Sequence, residues 1–152
     1  MLSRLAEKLF AREPLPEAPQ KTGTTALAVC VVMMEAANAD DTFTEEERTH
    51  ILDVLQKRFD LPKDEAHELL EEAAQARKAS SDLWHFTHEI NRAFSVPEKI
   101  RVMEELWRIF YSDQFLDGHE DHLAHQLAEL LNLNHRQFID AKLKVLKEVR
   151  GE

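Results

Sequence analysis

Glycine is scarce in this chain, with 3 in 152 residues, and proline contributes only 5. Three of those prolines, Pro14, Pro16 and Pro19, fall within one short stretch. Few Gly or Asn-Gly turns exist to close hairpins, and period-2 alternation is sparse, so no strand is expected. There is one cysteine, Cys30, inside an apolar run. A lone cysteine makes no internal disulfide, which fits a reducing, cytoplasmic setting and a small core residue. No secretion signal is visible. The longest apolar run, Ala26–Met34, ends at Glu35, well short of the roughly 18 apolar residues of a membrane span. Basic residues are also in deficit. The formal charge is −10, which argues against nucleic acid and favours cations or basic partners. No Gly-rich phosphate loop, nucleophile elbow or kinase signature is present.

What remains, with 43% hydrophobic residues, is an all-α pattern. A chain of this size buries roughly 68–70% of its unfolded surface without a staple. Residues 1–21 read as an amphipathic helix, with Leu2, Leu5, Leu9 and Phe10 on one face, followed by a proline-rich strap that breaks regular helix. That helix packs on the domain or serves as an arm for a membrane surface or partner. Residues 22–150 read as one helical domain. Thr22–Asn38 is apolar nearly all round, as a helix enclosed by others should be. Thr44 and Glu47 form a capping box that opens Glu45–Phe59, and Ser95 with Glu98 opens Val96–Tyr111. Helices follow Pro62, run over Leu83–Ala93 and His119–Leu131, and close the fold at His135–Val149. The inward residues expected of that last helix are Phe138, Ile139, Leu143, Leu146 and Val149. The total is about eight helices.

The chain repeats itself. Ala39–Glu47 reads ADDTFTEEE and Ser112–Glu120 reads SDQFLDGHE, 73 positions apart. Each follows an apolar helical run and opens an amphipathic one. The reading is two pseudo-two-fold helical repeats, about 22–79 and 95–150, joined by a connector. Asp40 and Asp113 each stand where a helix should end. A carboxylate there meets the negative end of the helix dipole, which costs about 0.3–1 kcal/mol. Beside unpaired helix-end carbonyls, however, it is good hard-cation chemistry. Glu47 and Glu120 add a second carboxylate from the next helix. No Lys or Arg lies within 40–47 or 113–121. If the two-fold brings the turns together, Asp40, Glu47, Asp113 and Glu120 face one divalent cation, with Ca, Mg and Mn the candidates. The plainer reading is that Thr44, Glu47, Asp117 and Glu120 are helix caps and nothing more.

Two motif matches fail. The segment from Asp113 has an EF-hand's Asp and Gly but ends on Ala124, where a bidentate Glu is needed. His119-Glu-Asp-His122 brings its second histidine one residue too early for a zinc protease helix. His119, His122 and His125 fan over about 120° of a helix. A transition-metal enzyme using His122 and His125 is therefore the third reading, behind a polar solvated face. His85 and His88 form a similar pair on the connector.

The two acidic stretches, Ala39–Glu47 and Ser112–Glu120, resemble the signature of the TerB family, A-D-G-x-[IL]-x-x-x-E used twice. The resemblance covers about Thr22 to Val149. The signature's glycine is Asp41 in one copy and Gln114 in the other. The resemblance implies an all-helical, cytoplasmic, bacterial module, and the leading reading is that it is not an enzyme. It implies an acidic divalent-metal surface at Asp40, Glu47, Asp113 and Glu120. It also implies a protein partner in a membrane-associated tellurite-resistance or metal- and stress-response assembly, without a membrane span of its own. The alternative is a structural protein–protein interaction module whose acidic turns only cap helices.

Overall fold

The computed structural model describes residues 18–38, 43–112 and 118–151, and side chains over 23–38, 43–112 and 121–151. Seven helices and no strand occur among them. They are α1 (Ala18–Ala37), α2 (Glu45–Arg58), α3 (Lys63–Ala79), α4 (Trp84–Ala93), α5 (Val96–Phe110), α6 (Gly118–Leu130) and α7 (His135–Arg150). The expected N-terminal helix over Met1–Ala11 lies outside the described residues. None of the described helices is long and apolar enough to cross a membrane.

The apolar run of α1 puts it at the centre. Val29 to Met33 are all essentially inaccessible, and α1 packs on α2, α3, α4 and α5. A helix surrounded this way needs apolar residues on every side. Its one central acid, Glu35, is met by Arg77 of α3, with Nε 2.9 Å from Oε1. The helix starts at Ala18, not Thr22, and so takes in Pro19, which the sequence reading assigned to the strap. Proline is tolerated there because first-turn N–H groups have no intrahelical partner to lose.

The two halves correspond. α1 packs against α3 as α5 packs against α7, α1 and α5 meet, and α4 links the halves. The finest match lies where α2 and α6 end. Asp60 and Asn132 are both left-handed, with φ of 55° and 60°, a conformation that Asp and Asn accept more readily than most residues. Each is flanked by two buried apolar side chains, Phe59 and Leu61 in one half and Leu131 and Leu133 in the other. In the second half Leu133 N–H donates to the Ala128 carbonyl at 3.0 Å, satisfying a helix-end acceptor. This correspondence runs at an offset of 72, one less than at the acidic turns. α2 has 14 residues and α6 has 13, which absorbs the difference.

Caps fix the starts. Thr44 and Ser95 both close the boxes expected of them, and Asn134 closes a third with Gln137. α7 departs from expectation in its rotation. It buries Phe138, Ala141 and Val145, while Leu143 is 52% and Val149 43% exposed. The helix carries two overlapping apolar stripes. The one that faces α5 contains the small Ala141, and this displaces Leu143 to solvent.

Candidate functional site

Of the four acidic residues read from the sequence, the structure describes the side chain of one. Asp40 and Asp113 lie outside the described residues. Glu120 is placed by its backbone as the third residue of α6, the position Glu47 holds in α2. The helix starts therefore put Glu47 and Glu120 at equivalent points of the two repeats.

Glu47 is buried. Its Oε1 accepts from Thr44 N–H at 2.8 Å and from Thr44 Oγ1 at 3.1 Å, and its own N–H donates to Thr44 Oγ1 at 3.1 Å. Two backbone donors that a helix start would leave unpaired are thereby satisfied. Glu45 and Glu46 share this first turn and are exposed. Three carboxylates at the positive end of a helix dipole are favourably placed. Among the described residues no group of three or more His, Cys, Asp or Glu side chains is arranged to hold a metal ion.

The histidines of α6 and α4 have other neighbours. His122 is exposed. The His125 ring lies 4.4 Å from that of Phe138, with His135 near-parallel at 6.4 Å, and its Nε2 is 3.9 Å from Asp121. His88 stacks on the exposed Trp84 at 4.4 Å, and His85 meets Phe86 edge-on. The thiol of Cys30 is fully buried, and burial pushes its pKa up to about 12. That is the wrong direction for a reactive thiolate.

The strongest electrostatic feature is one that the sequence reading did not single out. Glu105 of α5 is 7% exposed. His50 Nε2 lies 3.0 Å from its Oε1, Arg58 Nε and Nη2 lie 3.0 Å from Oε2, and Arg108 Nη1 lies 3.1 Å from Oε2. Burial alone pushes this carboxyl up. The hydrogen bond from His50 and the charges of Arg108, His50 and Arg58 outweigh that and hold it at about 2. Arg108 also grips Glu148 of α7 with two nitrogens, at 2.8 and 2.9 Å. The paired geometry raises the guanidinium pKa and lowers that of the Glu148 carboxyl. Next to it, Lys144 of α7 reaches Glu104 at 3.3 Å. One buried carboxylate thus ties α2 to α5, and its neighbours tie α5 to α7. Of the partners of Glu105, only Arg108 stands at a spacing legible in sequence, i, i+3. Arg58 and His50 come from the other repeat.

A second polar link crosses the bundle at Lys99, which is buried. Its Nζ donates to Asn91 Oδ1 at 3.2 Å, and Asn91 Nδ2 donates to the Leu130 carbonyl at 2.8 Å. The helix end of α6 is anchored to α4 and α5 in this way.

Comparison with known proteins bears on both repeats at once. A family model described as "Tellurite resistance protein TerB" matches residues 26–143, from the central helix to within α7. No curated protein and no solved structure matches the chain significantly.

Proposed function

The chain belongs to the TerB family, and from that premise we propose that it is a non-enzymatic binding module. Its ligand is a divalent cation, Ca, Mg or Mn, held by Asp40, Glu47, Asp113 and Glu120. Its setting is a tellurite-resistance or metal- and stress-response assembly, cytoplasmic and bacterial, reached through a protein partner at a membrane-associated complex. The observation that carries this reading is the duplication. The same acidic stretch stands before α2 and α6, at equivalent junctions of two corresponding halves, inside the span the family model matches. Hard cations take oxygen ligands from carboxylates and carbonyls. A carboxylate has about four lone-pair sites, so capping by Glu47 and ligation are chemically compatible.

The test is thermal unfolding of the metal-stripped chain, titrated with Ca²⁺, Mg²⁺, Mn²⁺ and Zn²⁺. A ligand at one hundred times its Kd stabilises the folded state by about 2.7 kcal/mol, a rise of about 5–10 °C for a domain this size. The rise is expected with Ca²⁺, Mg²⁺ or Mn²⁺ and lost when Asp40→Asn is combined with Asp113→Asn. A response unchanged in that double variant removes the site assignment.

A second reading has its own observation. The Glu47 carboxylate is already engaged in the cap of α2. On this reading the acidic turns only cap helices, and the module works as a protein interaction surface. It predicts a flat response to every ion, and loss of partner or membrane association when residues 1–20 are deleted.

A further inference from the structure

We propose that a cavity between the two repeats binds a small amphipathic carboxylate. The cavity is about 280 Å³, at the small end of ligand pockets. Its depth is apolar. Val29 of α1, Val54 of α2, Phe59, Phe94 and Val102 of α5 all line it, and all are buried. Its mouth is cationic. Lys57, Arg58 and Arg101 stand there, each exposed.

The two carboxylates at the cavity are already engaged. Glu98 caps α5 through a 2.7 Å bond to Ser95 N–H, and Glu105 is held by His50, Arg58 and Arg108. The charge of Glu105 is balanced by its partners, Arg58 among them, whereas Glu98, bonded to a neutral backbone N–H, keeps its own, so the lining carries three cations and two acids. Lys57 reaches Asp53 at 3.3 Å in a mostly exposed pair, a contact worth little. Arg101 makes no hydrogen bond or ion pair with any described residue. Its planar guanidinium can take a carboxylate with two parallel hydrogen bonds.

The surroundings extend this polarity. An adjoining groove of about 320 Å³ shares Arg58 and Arg101 and adds Arg108 and Lys144, with Glu104 its one carboxylate. Arg58 and Arg108 are paired with Glu105 and Glu148, and Lys144 with Glu104, which leaves Arg101 as the cation of this groove without an ion pair among the described residues. An apolar depth under a cationic mouth fits a ligand with an apolar body and one negative end. At about 30 Å³ per heavy atom, as in liquid water, the cavity of about 280 Å³ holds roughly nine heavy atoms, close to the size of octanoate.

The experiment is isothermal titration of the full chain with butanoate, hexanoate, octanoate and dodecanoate, and with octanol as the uncharged control. The Kd is expected to fall about fourfold per added methylene as far as octanoate, then level off. Octanol is expected to bind at least tenfold more weakly than octanoate. Arg101→Ala, a change at an exposed position that leaves the core intact, is expected to raise the octanoate Kd about tenfold and leave octanol unaffected. Arg101→Lys is expected to recover part of the loss. No binding, affinity that keeps climbing to dodecanoate, octanol as tight as octanoate, or an Arg101→Ala chain with unchanged octanoate Kd would each overturn the assignment.

Discussion

Replacing Glu105 by Gln removes one negative charge and almost no volume, so it isolates what that charge contributes. In the folded chain the carboxyl sits at about 2, against an ordinary 4.5. A pKa depressed by folding is a stability term present above the unfolded value and lost as pH falls through the folded one. Its size above pH 5 is about 3 kcal/mol, from roughly 1.4 kcal/mol per unit. The side chain is only 9% exposed, so solvent screening does not erase it. Breaking one partner out of a buried ionic cluster gives a similar figure, about 3–5 kcal/mol. Glu105→Gln should therefore cost about 3 kcal/mol at pH 7, or about 6–12 °C in Tm. Protonated Glu resembles Gln. The gap between the two chains should accordingly shrink to about 1.4 kcal/mol at pH 3 and to about 0.4 kcal/mol at pH 2, closing below it. Urea unfolding followed by circular dichroism at pH 7 and pH 3 measures both values. A cost below 1 kcal/mol at pH 7, or one undiminished at pH 3, would refute the account of Glu105 as the charged link between α2 and α5.

Three further outcomes follow from the packing. Thr44→Ala removes the cap of α2 and should cost about 1 kcal/mol by urea unfolding, the same with or without divalent ions if the turn is only a cap. Phe138→Ala should cost about 3–5 kcal/mol, whereas Leu143→Ala on the exposed stripe of α7 should stay within about 0.5 kcal/mol; equal costs would mean the rotation of α7 is wrong. Cys30 should resist a thiol-specific reagent at pH 8 in the native chain and react fully in urea, because the native thiol is both inaccessible and shifted up to about 12.

The helical architecture was legible because its signals are local. Thr44 with Glu47 and Ser95 with Glu98 announce helix starts through chemistry that acts over three residues. The run from Ala26 to Met34 announces a central helix because no other environment suits an all-round apolar surface. Where two local signals competed, the reading held for Phe138 and Ile139 and failed for Leu143 and Val149. In α7 the larger side chains Leu143, Leu146 and Val149 draw the expected face away from Ala141 and Val145, which share the buried stripe with Phe138. The fold selects that stripe, in which a small residue lies on the buried face. Pro19 failed differently. Proline breaks helix interiors but costs nothing in a first turn, and the sequence does not say which of these it occupies until the start at Ala18 is known.

The Glu105 cluster marks the limit of sequence reading more sharply. Glu104 and Glu105 interrupt an otherwise apolar face of α5, and a carboxylate in such a position demands cationic partners. That demand could have been read from the sequence. Its answer could not, because Arg58 lies 47 and His50 55 residues away, on a helix of the other repeat. Pairing across that distance is set by how the two halves dock, and the docking is non-local. The acidic turns present the converse case. Their sequence repeats visibly, yet one of the four carboxylates that would ligate a cation, Glu47, also serves as an ordinary cap. Glu47 performs the cap in plain geometry. Only a perturbation that separates charge from capping discriminates between them. Asp40→Asn with Asp113→Asn does so, because it removes ligating charge while leaving Thr44 and Glu47, and hence the box at the start of α2, untouched.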